Sequence, residues 1–195
     1  MTKPAKIMLG ILAVIILGTA IGIGSTPVVM KIVYNIGTVK NGPWRTNPNA
    51  GSRQANMYMR AGIALGGFLA LNQSEAIYYS ASTDDGGQTF SGDNIYRIEG
   101  KPPETLWWSI TAYDADGRLI PNELERYSYN GNNVIVDRDG KFTIYISKTP
   151  KPGNWLPLEN RKKFTLGLRL YNPGEAIRKS PATVALPNII KEGGK

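Results

Sequence analysis

The distribution of apolar and polar residues divides the chain into an uncharged N-terminal stretch and a polar remainder. Residues 7–30 contain no charged side chain, whereas charged residues recur throughout the rest of the sequence. As a helix that rises about 1.5 Å per residue, this stretch is long enough to cross a hydrocarbon layer about 30 Å thick. The pattern therefore predicts that residues 1–31 form a single transmembrane anchor.

The charges that flank the anchor predict its orientation. Lys3 and Lys6 precede the apolar stretch, and few charges follow it closely. Because positively charged flanks stay in the cytoplasm, we expect a protein of the bacterial inner membrane with a cytoplasmic N-terminus and a periplasmic C-terminal domain. The alternative is a cleaved secretory signal with its small-residue site at 20–22. Apolar residues continue to residue 34, which favours an uncleaved anchor.

Two small residues in the anchor bear on oligomeric state. Gly18 and Gly22 have the four-residue spacing at which two membrane helices can approach closely. A glycine-tolerant span that does not self-associate explains the same residues. The sequence therefore leaves open whether the protein forms a homo-oligomer.

A linker and a helix are predicted between residues 32 and 71. Residues 32–51 are rich in Gly, Pro and Asn, which is typical of a linker. Flexible linkers rarely carry a Trp, so Trp44 predicts that this stretch is pinned to the domain that follows. From Ser52 to Leu71 the apolar residues recur at helical spacing, and Ser52 can cap the helix. Small residues in this helix predict packing against a sheet; they are Ala61, Gly62, Gly66 and Gly67.

From residue 76 onward the pattern changes to short stretches typical of β-strands. The predicted strands are 76–82, 94–99, 105–113, 118–120, 133–137, 141–147 and 164–171. Gly-rich turns separate them, and Asp139-Gly140 marks the clearest hairpin. Short strands at near-regular spacing indicate a jelly-roll-like β-sandwich. We therefore expect a mainly β fold in which residues 52–195 form one domain, a β-sandwich with one packed helix.

The composition excludes several kinds of chemistry. The chain of 195 residues contains no His and no Cys, so a Ser-His-Asp triad, a cysteine nucleophile, a thiolate or imidazole metal site and a disulfide are all excluded. We expect no cofactor and no metal. The net charge is +8, but no nucleic-acid-binding module accompanies the basic residues. We interpret them as a solvated or headgroup-facing surface, with no nucleic acid as partner.

Adjacent tryptophans and paired acidic residues are the first candidates for chemistry. Trp107 and Trp108 share a strand, so one should lie in the core and the other should be covered by the helix or form a stacking platform for a sugar. The acidic pairs lie at turns, where Asp stabilises the backbone. These are Asp114, Asp116, Asp137 and Asp139. Glycosidase chemistry needs two carboxyl groups that face each other across a cleft, so we predict no catalytic residue.

Polar and aromatic residues in loops form the candidate ligand site. Residues of these types recognise carboxylates and hydroxylated ligands. The candidates are Asn122, Arg126, Tyr127, Asn154, Trp155 and Arg169, the last expected to join the same cluster. In the alternative interpretation, Arg126 and Asn154 tie loops to backbone carbonyls, and Trp155 plugs the end of the sandwich.

Several ordered motifs resemble one bacterial family. They are Gly-Pro-Trp-Arg-Thr at 42–46, the tryptophan strand with its turn at 107–117, Pro-Asn at 121–122, Arg-Tyr-Ser at 126–128, Thr-Ile-Tyr-Ile-Ser at 143–147, Asn-Trp-Leu-Pro at 154–157 and Leu-Arg-Leu-Tyr at 168–171. Together they resemble the domain of unknown function 1214, in its short, membrane-anchored branch. Long members carry a preceding domain of unknown function 1254, which this chain is too short to contain.

The resemblance implies a β-sandwich in the bacterial envelope and supplies no established reaction. We therefore expect a binding or assembly module, with an envelope protein that carries the missing domain 1254 as a potential partner. A carbohydrate-binding protein or a glycan-acting enzyme of the envelope is the alternative.

Overall fold

The computed structural model describes residues 3–65 and 70–194. The helices of this part of the chain are α1 (Lys3–Asn35), α2 (Met57–Leu65) and α3 (Glu175–Lys179). Its strands are β1 (Val39–Asn41), β2 (Trp44–Thr46), β3 (Ala76–Ala81), β4 (Asn94–Gly100), β5 (Thr105–Asp114), β6 (Ser128–Asn130), β7 (Phe142–Ser147), β8 (Asn154–Pro157), β9 (Phe164–Pro173) and β10 (Asn188–Gly194).

The strands form two sheets. The first has six strands in the order β1-β2-β3-β9-β5-β6, and the second has four in the order β10-β4-β7-β8. The pairings between named strands are antiparallel except the parallel pair β7 and β8. This arrangement confirms the predicted mainly β, sandwich-type fold.

The core lies between the inner faces of the two sheets. Alternate residues of β9 point inward, and Phe164, Leu166, Leu168 and Leu170 are all buried. Aromatic rings from the two sheets meet there, since the Trp108 ring of β5 stacks on Phe142 of β7 with 4.9 Å between centroids. The apolar residues that alternate in the sequence of β9 therefore face this core, as predicted.

Helix α1 is longer than the predicted anchor and continues through Pro27 to Asn35. The hydroxyl groups of Ser25 and Thr26 both donate to the Gly22 carbonyl, at 3.2 and 2.7 Å. Within α1, Lys3–Val29 is long and apolar enough to cross a membrane, and its most apolar window has no buried residue. Secretory signals share this length and composition, so the helix fits either a membrane anchor or a signal sequence.

The stretch predicted as a linker contributes two strands to the edge of the six-stranded sheet. Trp44 of β2 is 1% exposed, and its indole Nε1 donates to the Pro187 carbonyl at 2.7 Å. The Asn41 amide donates to the Val184 carbonyl at 2.7 Å. β1 and β2 are therefore fastened to the segment that leads into β10.

The helix predicted from residue 52 begins five residues later than expected, at Met57. Asn56 caps it, since its side-chain oxygen accepts the Met59 N–H at 2.9 Å. Ser52 instead accepts the Gln54 N–H in a preceding turn. Helix α2 packs mainly against α1, so the predicted packing of this helix on a sheet is wrong; an apolar helix surface can be covered by another helix as well as by a sheet. The predicted contacts of Gly66 and Gly67 lie outside the described residues.

The predicted hairpin around Asp139-Gly140 has only one full strand. Residues 133–137 form a single bridge, between Val136 and Phe142. The reason is a side chain, because the Asn154 amide accepts the Ile135 N–H and donates to the Ile135 carbonyl, both at 2.8 Å. The backbone of Ile135 therefore hydrogen-bonds to an amide side chain, whereas in a strand it would hydrogen-bond to the backbone of a neighbouring strand.

Candidate binding surface

Asn154 and Trp155, two of the predicted site residues, lie in β8 and are buried. Besides its two bonds to Ile135, the Asn154 amide donates to the Thr143 carbonyl at 2.9 Å. The Trp155 indole donates to the Ser147 carbonyl at 3.1 Å, and its backbone N–H donates to the Tyr129 hydroxyl at 3.0 Å. The polar atoms of both side chains are thus used within the fold.

Asn122 and Arg126 form a closed loop at the side of the sandwich. The Asn122 side chain accepts the Arg126 N–H at 3.0 Å and donates to the carbonyls of Ile120 and Arg126. The Arg126 guanidinium donates to the Trp155 carbonyl at 3.3 Å and lies 5.8 Å from the centroid of the Tyr129 ring. These contacts match the alternative interpretation, in which the loop residues bind backbone carbonyls.

Tyr127 and Arg169 complete the predicted set. Tyr127 is half-buried beside this loop. Arg169 lies in β9, opposite Ser109 of β5 and Tyr78 of β3, and its contacts run to Tyr113. The structure therefore brings together the residues around Trp155 but does not bring Arg169 into that cluster. Arg169 lies in the middle of the six-stranded sheet, on the face that points away from the core.

This outward face carries aromatic and polar side chains in register across the strands. Trp107 pairs with Tyr171 in one row, and Ser109, Arg169 and Tyr78 form the next row. We call this surface the aromatic face, and it consists of Tyr78, Trp107, Ser109, Tyr113, Arg169 and Tyr171.

The rings of the aromatic face contact one another. Trp107 and Tyr171 meet edge to face with 5.5 Å between centroids, and Tyr78 meets Tyr171 in the same way at 6.4 Å. Burial raises the pKa of the Tyr78 hydroxyl, so this group stays a neutral donor and acceptor at physiological pH. Packing among neighbours holds the rings in place while part of each stays open to solvent.

A glycine allows Tyr113 to reach Arg169. A Cβ atom added at Gly167 would lie 3.1 Å from Cε2 of Tyr113, so this ring covers a position that has no side chain. The Tyr113 hydroxyl accepts a hydrogen bond from the Arg169 guanidinium, which also lies 5.5 Å from the ring centroid. The guanidinium is thereby held by a neutral partner.

Ser109 differs from the other polar residues of the aromatic face. The residue is 2% exposed, and its hydroxyl has no hydrogen-bond partner among the described residues. Buried hydroxyl groups usually find a partner, because leaving one unpaired costs about 1–3 kcal/mol. The unpaired hydroxyl lies directly across from Arg169.

Trp107 and Trp108 point to opposite faces of the sheet, as adjacent residues of a strand do. Trp108 is 3% exposed and belongs to the core. Trp107 is half-buried on the aromatic face. Its ring contact is with Tyr171, which leaves the stacking-platform interpretation of Trp107 in place.

Two of the four acidic side chains at turns, Asp114 and Asp137, have the structural role predicted for them. The Asp114 carboxylate accepts the backbone N–H groups of Arg118 at 2.9 Å and Asp116 at 3.0 Å, and these bonds lower its pKa. Asp137 accepts those of Lys141 and Asp139. Within residues 3–65 and 70–194, no three His, Cys, Asp or Glu residues cluster in a way that could hold a metal ion.

Sequence reasoning missed most of the aromatic face. It singled out Arg169 and Trp107 but not the three tyrosines or Ser109. The alternation in β5 and β9 separated the inward from the outward residues, which was a usable signal. The register that sets Trp107 beside Tyr171 joins strands far apart in the chain, and no local pattern encodes it.

Comparison with known proteins shows relatives whose function is not established. The family described as "Protein of unknown function (DUF1214)" matches residues 75–175, and no curated protein matches the chain. Among solved structures, the VPA0106 protein from Vibrio parahaemolyticus is 30% identical with a TM-score of 0.60, over 72% of this chain and 36% of that one. A putative uncharacterized protein from Burkholderia cenocepacia is 17% identical with a TM-score of 0.48, over 92% and 43%.

This chain therefore spans less than half the length of both solved relatives. The family match extends over more than half of the chain and includes β3 to β9, which carry the aromatic face. The chain belongs to the DUF1214 family of proteins of unknown function.

Proposed function

We propose that the protein is a single-pass protein of the bacterial inner membrane that presents its β-sandwich in the periplasm as a binding or assembly module. The observation that carries this proposal is helix α1. Large apolar side chains along it are exposed, with Ile7 at 64% and Leu17 at 60%. Exposed apolar surface on this scale is unfavourable in water and favourable in a hydrocarbon layer.

The charges at the two ends of α1 support the orientation. Lys3 and Lys6 lie at its start, before the apolar residues. Cytoplasmic flanks carry the excess of Lys and Arg, so the N-terminus is cytoplasmic and the sandwich periplasmic. The helix stays attached, because the segment after it enters the six-stranded sheet as β1 and β2 without a long flexible spacer.

The binding role is supported by the aromatic face. It combines Trp, Tyr and Arg, the residue types that most often dominate binding energy at interfaces, with the Ser109 hydroxyl, which has no partner within residues 3–65 and 70–194. The chain also spans 36% of the VPA0106 protein. A separate envelope protein that carries a domain such as the domain of unknown function 1254 would supply the remainder in an assembly.

A carbohydrate-binding protein is the second candidate, and the aromatic face favours it over a glycan-acting enzyme. Partly exposed aromatic rings can stack on sugars, whereas hydrolysis requires two carboxyl groups across a cleft. The turn carboxylates Asp114 and Asp137 are bound to backbone N–H groups. Binding is thus better supported than catalysis.

Extraction of membranes tests the anchored state. Full-length protein expressed in a Gram-negative host should stay in the pellet after washing at alkaline pH and should keep its N-terminal residues, as intact mass shows. Release into the wash, or a mature mass that lacks residues up to 22, would contradict the proposal. A matched variant with Leu12→Arg and Ile16→Arg should lose stable insertion, because charged residues near the centre of a span cost about 2.5–3.5 kcal/mol each.

A further inference from the structure

We propose that the aromatic face binds a carboxylated glycan, with a sugar ring stacked on Trp107 and a sugar carboxylate paired with Arg169. The inference deepens the binding role proposed above and rests on it for access to envelope glycans. Binding itself does not depend on which side of the membrane the sandwich faces.

The charge on Arg169 is the first feature that supports glycan binding. Among the described residues, the ion pairs involve Arg97, Lys148 and Lys179, and none involves Arg169. No Asp or Glu occupies an outward position of the six-stranded sheet in its paired registers. A guanidinium fixed by a neutral tyrosine keeps donors in the fork geometry that matches a carboxylate.

The aromatic rings of Trp107 and Tyr171 are the second feature that supports glycan binding. Trp107 and Tyr171 lie in the row next to Arg169, about 7 Å along the strands at two residues' rise. A pyranose ring is of similar size, and its C–H groups are attracted to the negative face of an aromatic ring. A sugar stacked on this row can therefore place a ring carboxylate within reach of Arg169.

Polar groups around Arg169 are the third feature that supports glycan binding. The hydroxyl of Ser109 has no partner in the part of the chain that the structure describes, and Asn130 of β6 lies next to Ser109 in register. Hydroxyl groups both donate and accept, as sugar hydroxyls do. Because Ser109 is buried, a ligand would satisfy its unpaired hydroxyl only after the neighbouring side chains move aside.

The composition of the face favours a sugar over a protein partner. Outward positions of its paired rows carry aromatic, hydroxyl, amide, basic and small residues and one proline, and none carries Leu, Ile, Val or Met. Trp, Tyr and Arg also occur at protein–protein interfaces, but the buried centre of such an interface is more apolar than a face without aliphatic side chains. Small side chains such as Ser80 and Thr111 lie between the larger ones, so a narrow ligand fits better than a broad one.

Titration of the full-length protein in detergent micelles tests the proposal. The probe is tetragalacturonate, followed by tryptophan fluorescence and by calorimetry, with the neutral maltotetraose as the matched ligand. We expect the acidic tetramer to bind and the neutral one to bind at least tenfold more weakly. Affinity for the acidic tetramer should fall as the salt concentration rises, because the proposed ion pair between Arg169 and the sugar carboxylate is partly exposed to solvent. Failure of the acidic tetramer to bind, or equal binding of both, would overturn the proposal.

Four substitutions sharpen the test. Arg169→Gln and Trp107→Ala should each lower affinity for the acidic tetramer at least tenfold, while Arg169→Lys should retain part of it. Arg97→Gln removes the same charge from the outward face of the other sheet and should leave binding unchanged. Thermal unfolding shows that each variant is folded. Unchanged binding by the folded Arg169→Gln variant contradicts the assignment.

A protein ligand is the competing outcome. If the same variants lose a co-purifying envelope protein while the wild type binds no glycan, the face is a protein interface and the glycan proposal is wrong. Membrane extraction is scored separately, so a failure of glycan binding and a failure of anchoring are distinguished.

Discussion

Each sheet has an arginine on a central strand of its outward face, and the two arginines are held differently. Arg97 of β4 lies 2.6 Å from a Glu99 oxygen and 2.7 Å from a Glu192 oxygen. Arg169 of β9 is held by the Tyr113 hydroxyl and ring, with no carboxylate in ion-pair contact among the described residues. The first charge is balanced within the protein, whereas the second is the group that we propose binds a sugar carboxylate. The same residue type is thus structural on one face and a candidate ligand group on the other.

The cluster around Trp155 extends the comparison. Its donors and acceptors bind backbone groups of the same chain. The aromatic face instead combines partly exposed rings with an unpaired hydroxyl. We therefore expect substitutions in the cluster to change stability and substitutions on the aromatic face to change binding.

Trp155→Ala should have the largest effect on stability. The side chain is 9% exposed and donates to Ser147, so its removal should lower the free energy of unfolding by about 3–5 kcal/mol. Trp107→Ala is the control, since a half-buried ring should cost less than half as much. Urea titration of both variants in the same detergent measures the difference. Equal losses would remove the distinction between the cluster and the aromatic face.

Asn154→Ala should come next. This substitution leaves the backbone N–H and carbonyl of Ile135 and the Thr143 carbonyl without the side chain that binds them. We expect a loss of about 2–3 kcal/mol. Asn132→Ala at an exposed position nearby should change stability by less than about 0.5 kcal/mol. Similar values for both variants would show that Asn154 does not hold the 133–137 segment.

Ser109→Ala should be neutral or raise stability by up to about 1 kcal/mol. The hydroxyl is buried and unpaired, so its removal lifts a desolvation penalty and breaks no bond. Thermal unfolding under identical conditions measures the shift. A clear loss of stability would mean that the hydroxyl has a partner in solution, which would weaken its role in ligand binding.

Asp114→Asn should have the smallest effect, seen only as a change in pH dependence. Backbone N–H groups lower the pKa of Asp114 in the folded state below its ordinary value of 3.8, so its contribution to stability is present above that value. That contribution is lost as the pH falls through the lower folded value. The variant should therefore lose less stability than wild type between pH 5 and about pH 2 on urea titration. Asp116→Asn leaves its own backbone N–H in place and should behave as wild type.

The sequence predicted the elements that carry their signal locally. The alternation in 164–171 predicted the inward residues of β9, and the Asp-Gly turns predicted where strands end. The apolar stretch predicted α1, although Pro27 does not interrupt it and the helix extends to Asn35. Short strands such as β6 and β8 were not predicted, because three or four residues are too few to show the two-residue alternation of a strand.

The candidate site was harder to predict because contacts across the fold decide it. Asn154 and Arg169 look equally functional in the sequence. The structure shows Asn154 bound to three backbone groups and Arg169 beside an unpaired serine. Only the register between strands distant in the chain separates the two, and the charge partners of Arg97 likewise come from β4 and β10 together.

The position of the sandwich relative to the membrane is tested most directly by cysteine labelling, since the native chain has no cysteine. A single Ser80→Cys variant places a thiol at an exposed position of β3, and a single Ala5→Cys variant places one ahead of the apolar residues of α1. With a membrane-impermeant maleimide on intact spheroplasts, we predict labelling of the Ser80→Cys variant, and labelling of the Ala5→Cys variant only after lysis. Labelling of the Ala5→Cys variant alone in intact spheroplasts would contradict the proposed periplasmic sandwich.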